Sequence, residues 1–277
     1  MSEVACTVRE DVILGEGRPL VLVCGPDVIE TEERTLETAF TVKRVAEKYG
    51  LPAVFKCSFD KANRTSLSSY RGPGLEAALP IFARVKRETG LPLLTDVHET
   101  AQVERAAEVA DVLQVPAFLC RQTDLLVACA KSGRAVNVKK GQFVAPKDMA
   151  HAVGKLTASG AEGRIFLTER GASFGYHNLV VDFRSLPLMR ELGVPVCMDA
   201  THAVQLPSAA GGKSGGERRF VAALARAAAA VGTDAVFLEL HPRPDEALCD
   251  GPNSLDFEGF ERLVGELVAI RRALGQP

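Results

Sequence analysis

The sequence lacks the features that mark several large classes of protein. Its formal net charge of −2 gives no general basic surface of the kind that holds nucleic acid. No window approaches the roughly eighteen apolar residues of a membrane span, and charged residues interrupt the N-terminus where a signal peptide needs an apolar core. The seven cysteines are odd in number and include no Cys-x-x-Cys pair, which argues against a disulfide framework or a structural zinc site. We therefore expect a cytoplasmic protein that binds neither nucleic acid nor membrane.

The chain instead contains a repeated alternation of short apolar runs with longer amphipathic segments. The runs predicted as strands are 20–24, 53–56, 91–96, 112–115, 135–138, 164–168, 194–199 and 235–240. The segments predicted as helices are 34–49, 74–89, 101–107, 123–132, 146–159, 183–192, 216–231 and 256–274. Continuous apolar runs are typical of parallel strands buried on both faces. Eight such units favour a single α/β domain over residues 1–277, a (β/α)8 TIM barrel, rather than an open sheet, with residues 1–18 as an N-terminal β-hairpin.

Cationic side chains cluster at or just past the C-terminal ends of these predicted strands. In 55–66 an apolar run passes into two lysines, an arginine, an asparagine and three hydroxyls. The cations at strand ends are Lys56, Lys61, Arg64, Arg121, Lys139 and Arg170. Any one of them alone is typical of a solvated surface. In a closed barrel, however, those ends converge on one mouth, so their common position predicts a small, strongly anionic, phosphorylated ligand.

Two further groups follow the same strands. Four residues have the oxygen and nitrogen donors that a hard divalent cation accepts, namely Asp27, His202, Glu239 and Asp250, although their wide spacing is weak evidence alone. The glycine-rich segment 207–216 suits a mobile lid that closes over substrate, with a disordered loop as the alternative. For His241, in a rigid His-Pro-Arg-Pro run, we predict a structural role.

The motifs at these positions are similar to those of one enzyme family. They are FDKANR at 59–64, TDVHE at 95–99, QVPAFLCRQTD at 114–124, NVKKGQF at 137–143, ERG at 169–171, FGY at 174–176, DATH at 199–202 and KSGG at 213–216. From about residue 21 to about residue 255, the chain resembles the 3-deoxy-D-manno-octulosonate-8-phosphate synthases, also called phospho-2-dehydro-3-deoxyoctonate aldolases. The resemblance implies a homotetrameric (β/α) barrel without an organic cofactor. It implies a transferase that condenses phosphoenolpyruvate with D-arabinose 5-phosphate and water, releasing phosphate, in lipopolysaccharide Kdo biosynthesis.

The resemblance also implies roles for individual residues. Those implied to hold phosphoenolpyruvate are Lys56, Ser58, Gln114, Ala117, Lys139 and Arg170. Those implied to hold the sugar phosphate are Lys61, Asn63, Arg64, Thr65, Asp96 and Arg121, of which Arg121 would reach a neighbouring subunit's site. Those implied to be catalytic are Lys56, Lys61, Asp27, His202 and Asp250. The implied metal positions are Asp27, His202, Glu239 and Asp250.

Asp27 departs from the family pattern, in which metal-dependent members carry cysteine and metal-independent members carry asparagine. Two other segments point in opposite directions. Residues 249–252 look like those of metal-independent members, whereas residues 183–187 look like those of metal-dependent members. Three converging carboxylates would repel one another, so without a cation one of them would have to stay protonated. A divalent cation (Mn, Mg, Fe or Zn) would remove that repulsion. We therefore expect a metal here, with a metal-free site as the alternative.

Three other functions stay open, of which a sialic-acid-type synthase is the weakest. The sister synthases that make 3-deoxy-arabino-heptulosonate 7-phosphate typically have Lys-Pro-Arg where this chain has the four residues 61–64. A non-catalytic phosphate-binding barrel is the alternative from another class. The intact set of polar residues argues against it, and phosphate release would separate the two.

Overall fold

The computed structural model describes residues 4–207 and 215–277. In chain order, its strands are β1 (Ala5–Arg9), β2 (Val12–Gly15), β3 (Val21–Gly25), β4 (Ala53–Lys56), β5 (Leu93–Asp96), β6 (Val112–Val115), β7 (Ala135–Lys139), β8 (Ile165–Glu169), β9 (Ala172–Ser173), β10 (Leu179–Val180), β11 (Val196–Asp199), β12 (Gln205–Leu206), β13 (Gly215–Gly216) and β14 (Ala235–Glu239). The α-helices are α1 (Glu32–Tyr49), α2 (Leu75–Thr89), α3 (Thr100–Ala107), α4 (Thr123–Lys131), α5 (Ala150–Ala158), α6 (Ser185–Arg190), α7 (Val221–Val231) and α8 (Phe257–Ala273).

Eight parallel strands close into a barrel in the order β3, β4, β5, β6, β7, β8, β11 and β14, with β14 pairing back to β3. Helices connect successive strands on the outside, so the predicted (β/α)8 TIM barrel is confirmed. The barrel strands are buried along their whole length. Both faces of each strand are covered, which explains why the apolar runs were continuous rather than alternating.

The predicted N-terminal hairpin is also confirmed, and it closes the bottom of the barrel. Strands β1 and β2 pair antiparallel, and their buried side chains Cys6, Val12 and Leu14 pack into one apolar cluster with interior residues of the barrel. Among those interior residues, Val21 and Val112 are the first residues of β3 and β6. The hairpin therefore covers the N-terminal ends of the strands, and the C-terminal ends remain open.

Most helix bounds agree with the sequence prediction to within about two residues, and two helices begin later than predicted. The helix predicted over 216–231 begins only at Val221, because Gly215–Gly216 pairs with Gln205–Leu206 as a short antiparallel ribbon. The helix predicted over 146–159 opens as a tighter 3₁₀ turn, Pro146–Met149, before α5 starts. Of the predicted lid at 207–216, residues 208–214 lie outside the described residues.

Local signals set the ends of the well-predicted helices. At the start of α1 the Thr31 hydroxyl accepts a hydrogen bond from the backbone N–H of Arg34, and Gly50 ends the helix in the left-handed conformation. At the start of α8 the Asp256 carboxylate accepts from the N–H of Gly259 in the same way. Over residues 4–207 and 215–277, no helix combines the length and apolar character that crossing a membrane requires.

Candidate active site

The open end of the barrel holds a cavity of about 510 Å³. Every barrel strand, or the loop that follows it, contributes to its wall. The predicted site residues that line the cavity are Asp27, Lys61, Asn63, Arg64, Thr65, Asp96, Gln114, Ala117, Lys139, Arg170, His202 and Asp250. Lys56, Ser58 and Glu239 are buried beneath this lining and contact it. Arg121 alone among the predicted site residues is exposed and outside the site.

The four predicted metal positions come together at one side of the cavity. One ligand atom each from Asp27, His202, Glu239 and Asp250 lies within 4.8 Å of all the others. These residues follow strands β3, β11 and β14, or end them, so closure of the barrel brings together positions more than two hundred residues apart. Asp250 adopts a left-handed backbone conformation, with φ of 48°.

Two lysines lie against these carboxylates. Lys56 Nζ donates to Glu239 Oε1 at 2.9 Å and to the backbone carbonyl of Asp27 at 2.8 Å. Lys61 Nζ lies 2.5 Å from Asp27 Oδ1 and 3.6 Å from Asp96 Oδ2. All of these groups are largely withdrawn from water, where an unpaired charge is costly. The lysines therefore offset part of the carboxylate charge.

The carboxyl groups respond differently to this environment. Burial opposes ionisation of Asp27, but the ammonium groups of Lys61 and Lys56 outweigh it and hold the pKa of Asp27 well below its usual range. Burial and the neighbouring Asp27 carboxylate raise the pKa of Glu239 well above its usual range, and they raise the pKa of Asp250 as well. Mutual repulsion in the absence of a cation therefore favours ionisation of Asp27 over ionisation of Glu239.

His202 is held as a neutral ring with one nitrogen free. Its Nδ1 lies 2.7 Å from Asp199 Oδ2, and burial, with Lys139 nearby, lowers the pKa of the imidazole to about 4. The Nδ1 proton is therefore donated to Asp199. The Nε2 lone pair then faces Glu239 Oε1 at 3.4 Å and Asp250 Oδ2 at 3.7 Å. A carboxylate that orients a histidine ligand in this way is a common feature of metal sites.

The donor set fits a divalent cation. When both carboxyls are ionised, the two oxygens of Asp27 and Oε2 of Glu239 are buried without a hydrogen bond of good geometry to the described residues, although Lys61 lies close to Asp27. A proton on Glu239 could instead be donated to Asp27. Three carboxylates and one neutral imidazole are ligands that Mn²⁺, Mg²⁺ or Fe²⁺ accept. The unpaired oxygens would be satisfied by such an ion.

Across the cavity the cations are held by partners to which sequence analysis gave no role. Lys139 Nζ lies 2.6 Å from Asp199 Oδ2 and 3.8 Å from the centre of the Phe237 ring. The same ring lies 5.5 Å from Lys56 Nζ and packs against His202. A cation over an aromatic face is attracted by the negative charge of the ring face.

The arginines are also fixed in place. Arg170 Nη2 donates to Gln205 Oε1 at 2.7 Å, and Arg64 Nη1 donates to Cys249 Sγ at 2.5 Å. Phe237, Gln205 and Cys249 are therefore site residues that the sequence prediction missed. Asp199, in the DATH motif at the end of a predicted strand, was expected at the barrel mouth but was given no role.

Comparison with known proteins agrees with this geometry. The sequence model of the DAHP synthetase I family matches residues 3–273. The chain is 59% identical over 260 residues to a protein of Syntrophotalea carbinolica, covering 94% of each chain. It is 61% identical over 249 residues to one of Nitratidesulfovibrio vulgaris strain Hildenborough, covering 90% of this chain and 91% of the relative. Both relatives are named 2-dehydro-3-deoxyphosphooctonate aldolase. The chain therefore belongs to the DAHP synthetase I family.

Proposed function

We propose that the protein condenses phosphoenolpyruvate with D-arabinose 5-phosphate and water, giving 3-deoxy-D-manno-octulosonate 8-phosphate and phosphate for the Kdo sugar of lipopolysaccharide. The observation that carries this proposal is the composition of the cavity at the barrel mouth. Lysines and arginines meet there with polar groups proposed to face the sugar and with the four potential metal ligands Asp27, His202, Glu239 and Asp250. Relatives near 60% identity bear the name of an enzyme for this product.

The reaction needs charge stabilisation and a positioned water. Carbon 3 of phosphoenolpyruvate attacks the sugar aldehyde while water adds to carbon 2, and the bond from carbon 2 to the phosphate oxygen then breaks. One proton of the water goes to the new hydroxyl and the other to phosphate. In this proposal Lys139 and Arg170 bind the phosphate and carboxylate of phosphoenolpyruvate, and Lys61 and Arg64 bind the sugar phosphate.

We further propose that the quartet Asp27, His202, Glu239 and Asp250 holds one divalent cation. A bound cation would supply charge stabilisation to an oxygen of the reactants without redox chemistry. The protein side chains supply the other functions. Asp199 keeps the His202 lone pair directed at the metal positions, and the lysines orient the anionic substrates. Binding of manganese, measured by calorimetry on the resting protein, tests the site independently of turnover.

Arabinose 5-phosphate is expected to be the preferred acceptor. Asn63 and Asp96 line the cavity and offer hydrogen bonds suited to a polyhydroxylated five-carbon chain. A shorter acceptor would leave some of these polar groups unpaired. With a panel of aldose phosphates, we expect kcat/KM for phosphate release to be at least about tenfold higher with arabinose 5-phosphate than with erythrose 4-phosphate. The opposite preference would indicate the heptulosonate reaction, and no release with any acceptor would indicate a non-catalytic barrel.

Arg121 is expected to act in the site of a neighbouring subunit of a homotetramer. Ala117, Phe118 and Leu119 line the cavity of their own chain, whereas Arg121, two residues later, is exposed and does not. Arg121→Ala should raise the KM for arabinose 5-phosphate about tenfold or more, since a charged hydrogen bond to phosphate is lost, and leave the KM for phosphoenolpyruvate within about threefold. Arg87→Ala, at another exposed arginine, is the control. Full activity in a demonstrably monomeric sample would contradict this expectation.

A further inference from the structure

A continuous row of buried side-chain hydrogen bonds runs across four adjacent strands beneath the cavity. Thr168 Oγ1 donates to Asn137 Oδ1 at 2.7 Å, and Asn137 Nδ2 donates to Gln114 Oε1 at 2.8 Å. Gln114 Nε2 in turn donates to Asp96 Oδ1, whose other oxygen accepts from Ser58 Oγ at 2.7 Å. The strands involved are β8, β7, β6 and β5, in the order in which the barrel pairs them.

The hydrogen bonds from Thr168 to Asp96 all point the same way, with each donor on the side facing Asp96, and Asp96 sets this direction. The Asp96 carboxylate is ionised, because the nearby Lys61 and Lys56 outweigh burial and lower its pKa. An ionised carboxylate only accepts hydrogen bonds, so Gln114 must turn its NH₂ toward Asp96 and its oxygen toward Asn137. Asn137 must then turn its NH₂ toward Gln114 and its oxygen toward the Thr168 hydroxyl. Reversing either amide alone would set two like groups, both acceptors or both donors, against each other.

The members of the row differ in their access to substrate. Asp96 and Gln114 line the cavity, whereas Asn137 and Thr168 are fully buried and do not. We propose that Asn137 and Thr168 are positioning residues that hold the Gln114 amide in place while it donates to Asp96. The inference rests on the proposed function, in which Gln114 binds phosphoenolpyruvate and Asp96 binds the sugar. The same row of hydrogen bonds then orients both side chains.

Removing the first donor should weaken catalysis through Gln114. Thr168→Val keeps the shape of the side chain but removes the hydroxyl, and we expect kcat/KM for arabinose 5-phosphate to fall about fivefold, the effect of one neutral hydrogen bond. Thr168→Ser keeps the hydroxyl, so its kcat/KM for arabinose 5-phosphate should be close to that of the wild type. Thr95→Val on β5 is the matched control, because this buried hydroxyl makes no hydrogen bond to the described residues.

A double-mutant cycle separates positioning from a merely structural role. If Thr168 acts through Gln114, then Thr168→Val should have no further effect on kcat/KM in a Gln114→Leu background. An undiminished fivefold loss in that background would overturn the proposal. So would a loss that Thr168→Ser fails to restore.

Asn137→Leu tests the row by a structural readout that needs no turnover. Leucine is close to asparagine in size but donates no hydrogen bond to Gln114 Oε1, so in a crystal structure the Gln114 side chain should leave the position in which it donates to Asp96, with the barrel register unchanged. Persistence of that hydrogen bond would overturn the proposal even if Thr168→Val failed to fold. Failure of the proposed function would be seen separately, as an absence of phosphate release by the wild-type protein.

Discussion

Exhaustive chelation is expected to lower the rate of phosphate release by about two orders of magnitude, the size of effect seen when one electrostatic stabiliser is removed. When Asp27 and Glu239 are both ionised, the Asp27 oxygens and Glu239 Oε2 are buried without good hydrogen bonds to the described residues, and one ion can satisfy them together with the Nε2 of His202. Added Mn²⁺, Mg²⁺ or Fe²⁺ should restore the rate. Metal analysis of the untreated protein should find about one ion per chain, as one four-ligand site predicts.

Asp27→Asn should relieve the metal requirement. The amide removes one of the repelling charges while keeping the size of the side chain, so this variant should retain most of its turnover in chelator. Asp182→Asn, at an exposed aspartate paired with Arg184, is the control and should remain as sensitive to chelator as the wild type. Unchanged turnover of chelated, metal-free wild-type protein would contradict the metal proposal and assign Asp27 the place of the asparagine in metal-independent relatives.

Lys139→Met is expected to lower kcat/KM for phosphoenolpyruvate by about 10²- to 10³-fold, the usual cost of removing a preorganised donor. Lys139 is the cation that the Phe237 ring and Asp199 hold in the cavity, and Asp199 is fully buried. The loss of Lys139 also removes the ammonium group that is paired with the buried Asp199 carboxylate. Breaking a buried ion pair typically costs about 3–5 kcal/mol of stability, so the melting temperature should fall as well.

Lys140→Met provides the matched control for this change. Lys140 is buried like Lys139 but lies on the other side of β7, where its Nζ is 3.4 Å from Glu169 Oε1. The variant should lose stability while its kcat/KM stays within about fivefold of the wild type. Equal kinetic losses in the two variants would show that Lys139 acts through the stability of the barrel rather than on the substrate.

The fold was predictable from the sequence because each barrel strand is a buried apolar run. The location of the site was predictable as well, because the C-terminal ends of parallel strands in a closed barrel all lie at the same end of the barrel. The members of the quartet were grouped from their donor atoms and their positions after the strands, and the family resemblance implied the same four. The structure brings their ligand atoms together. Phe237 was missed because a strand buried on both faces gives no alternation to separate inward from outward side chains. Gly216 was misassigned to a helix because its pairing with Gln205 is a contact that local sequence does not encode.

The backbone at Asp250 restricts how the quartet can change over evolution or by engineering. Among ligand residues, Asp, Asn and His tolerate a φ of 48° far better than Glu or Cys. A different carboxylate or a thiolate at this position would carry a conformational penalty before any metal bound. Asp27 does not have a positive φ. A soft cysteine donor or a neutral amide can therefore be introduced at position 27 without that penalty, which makes it the place where metal preference can be retuned by a single substitution.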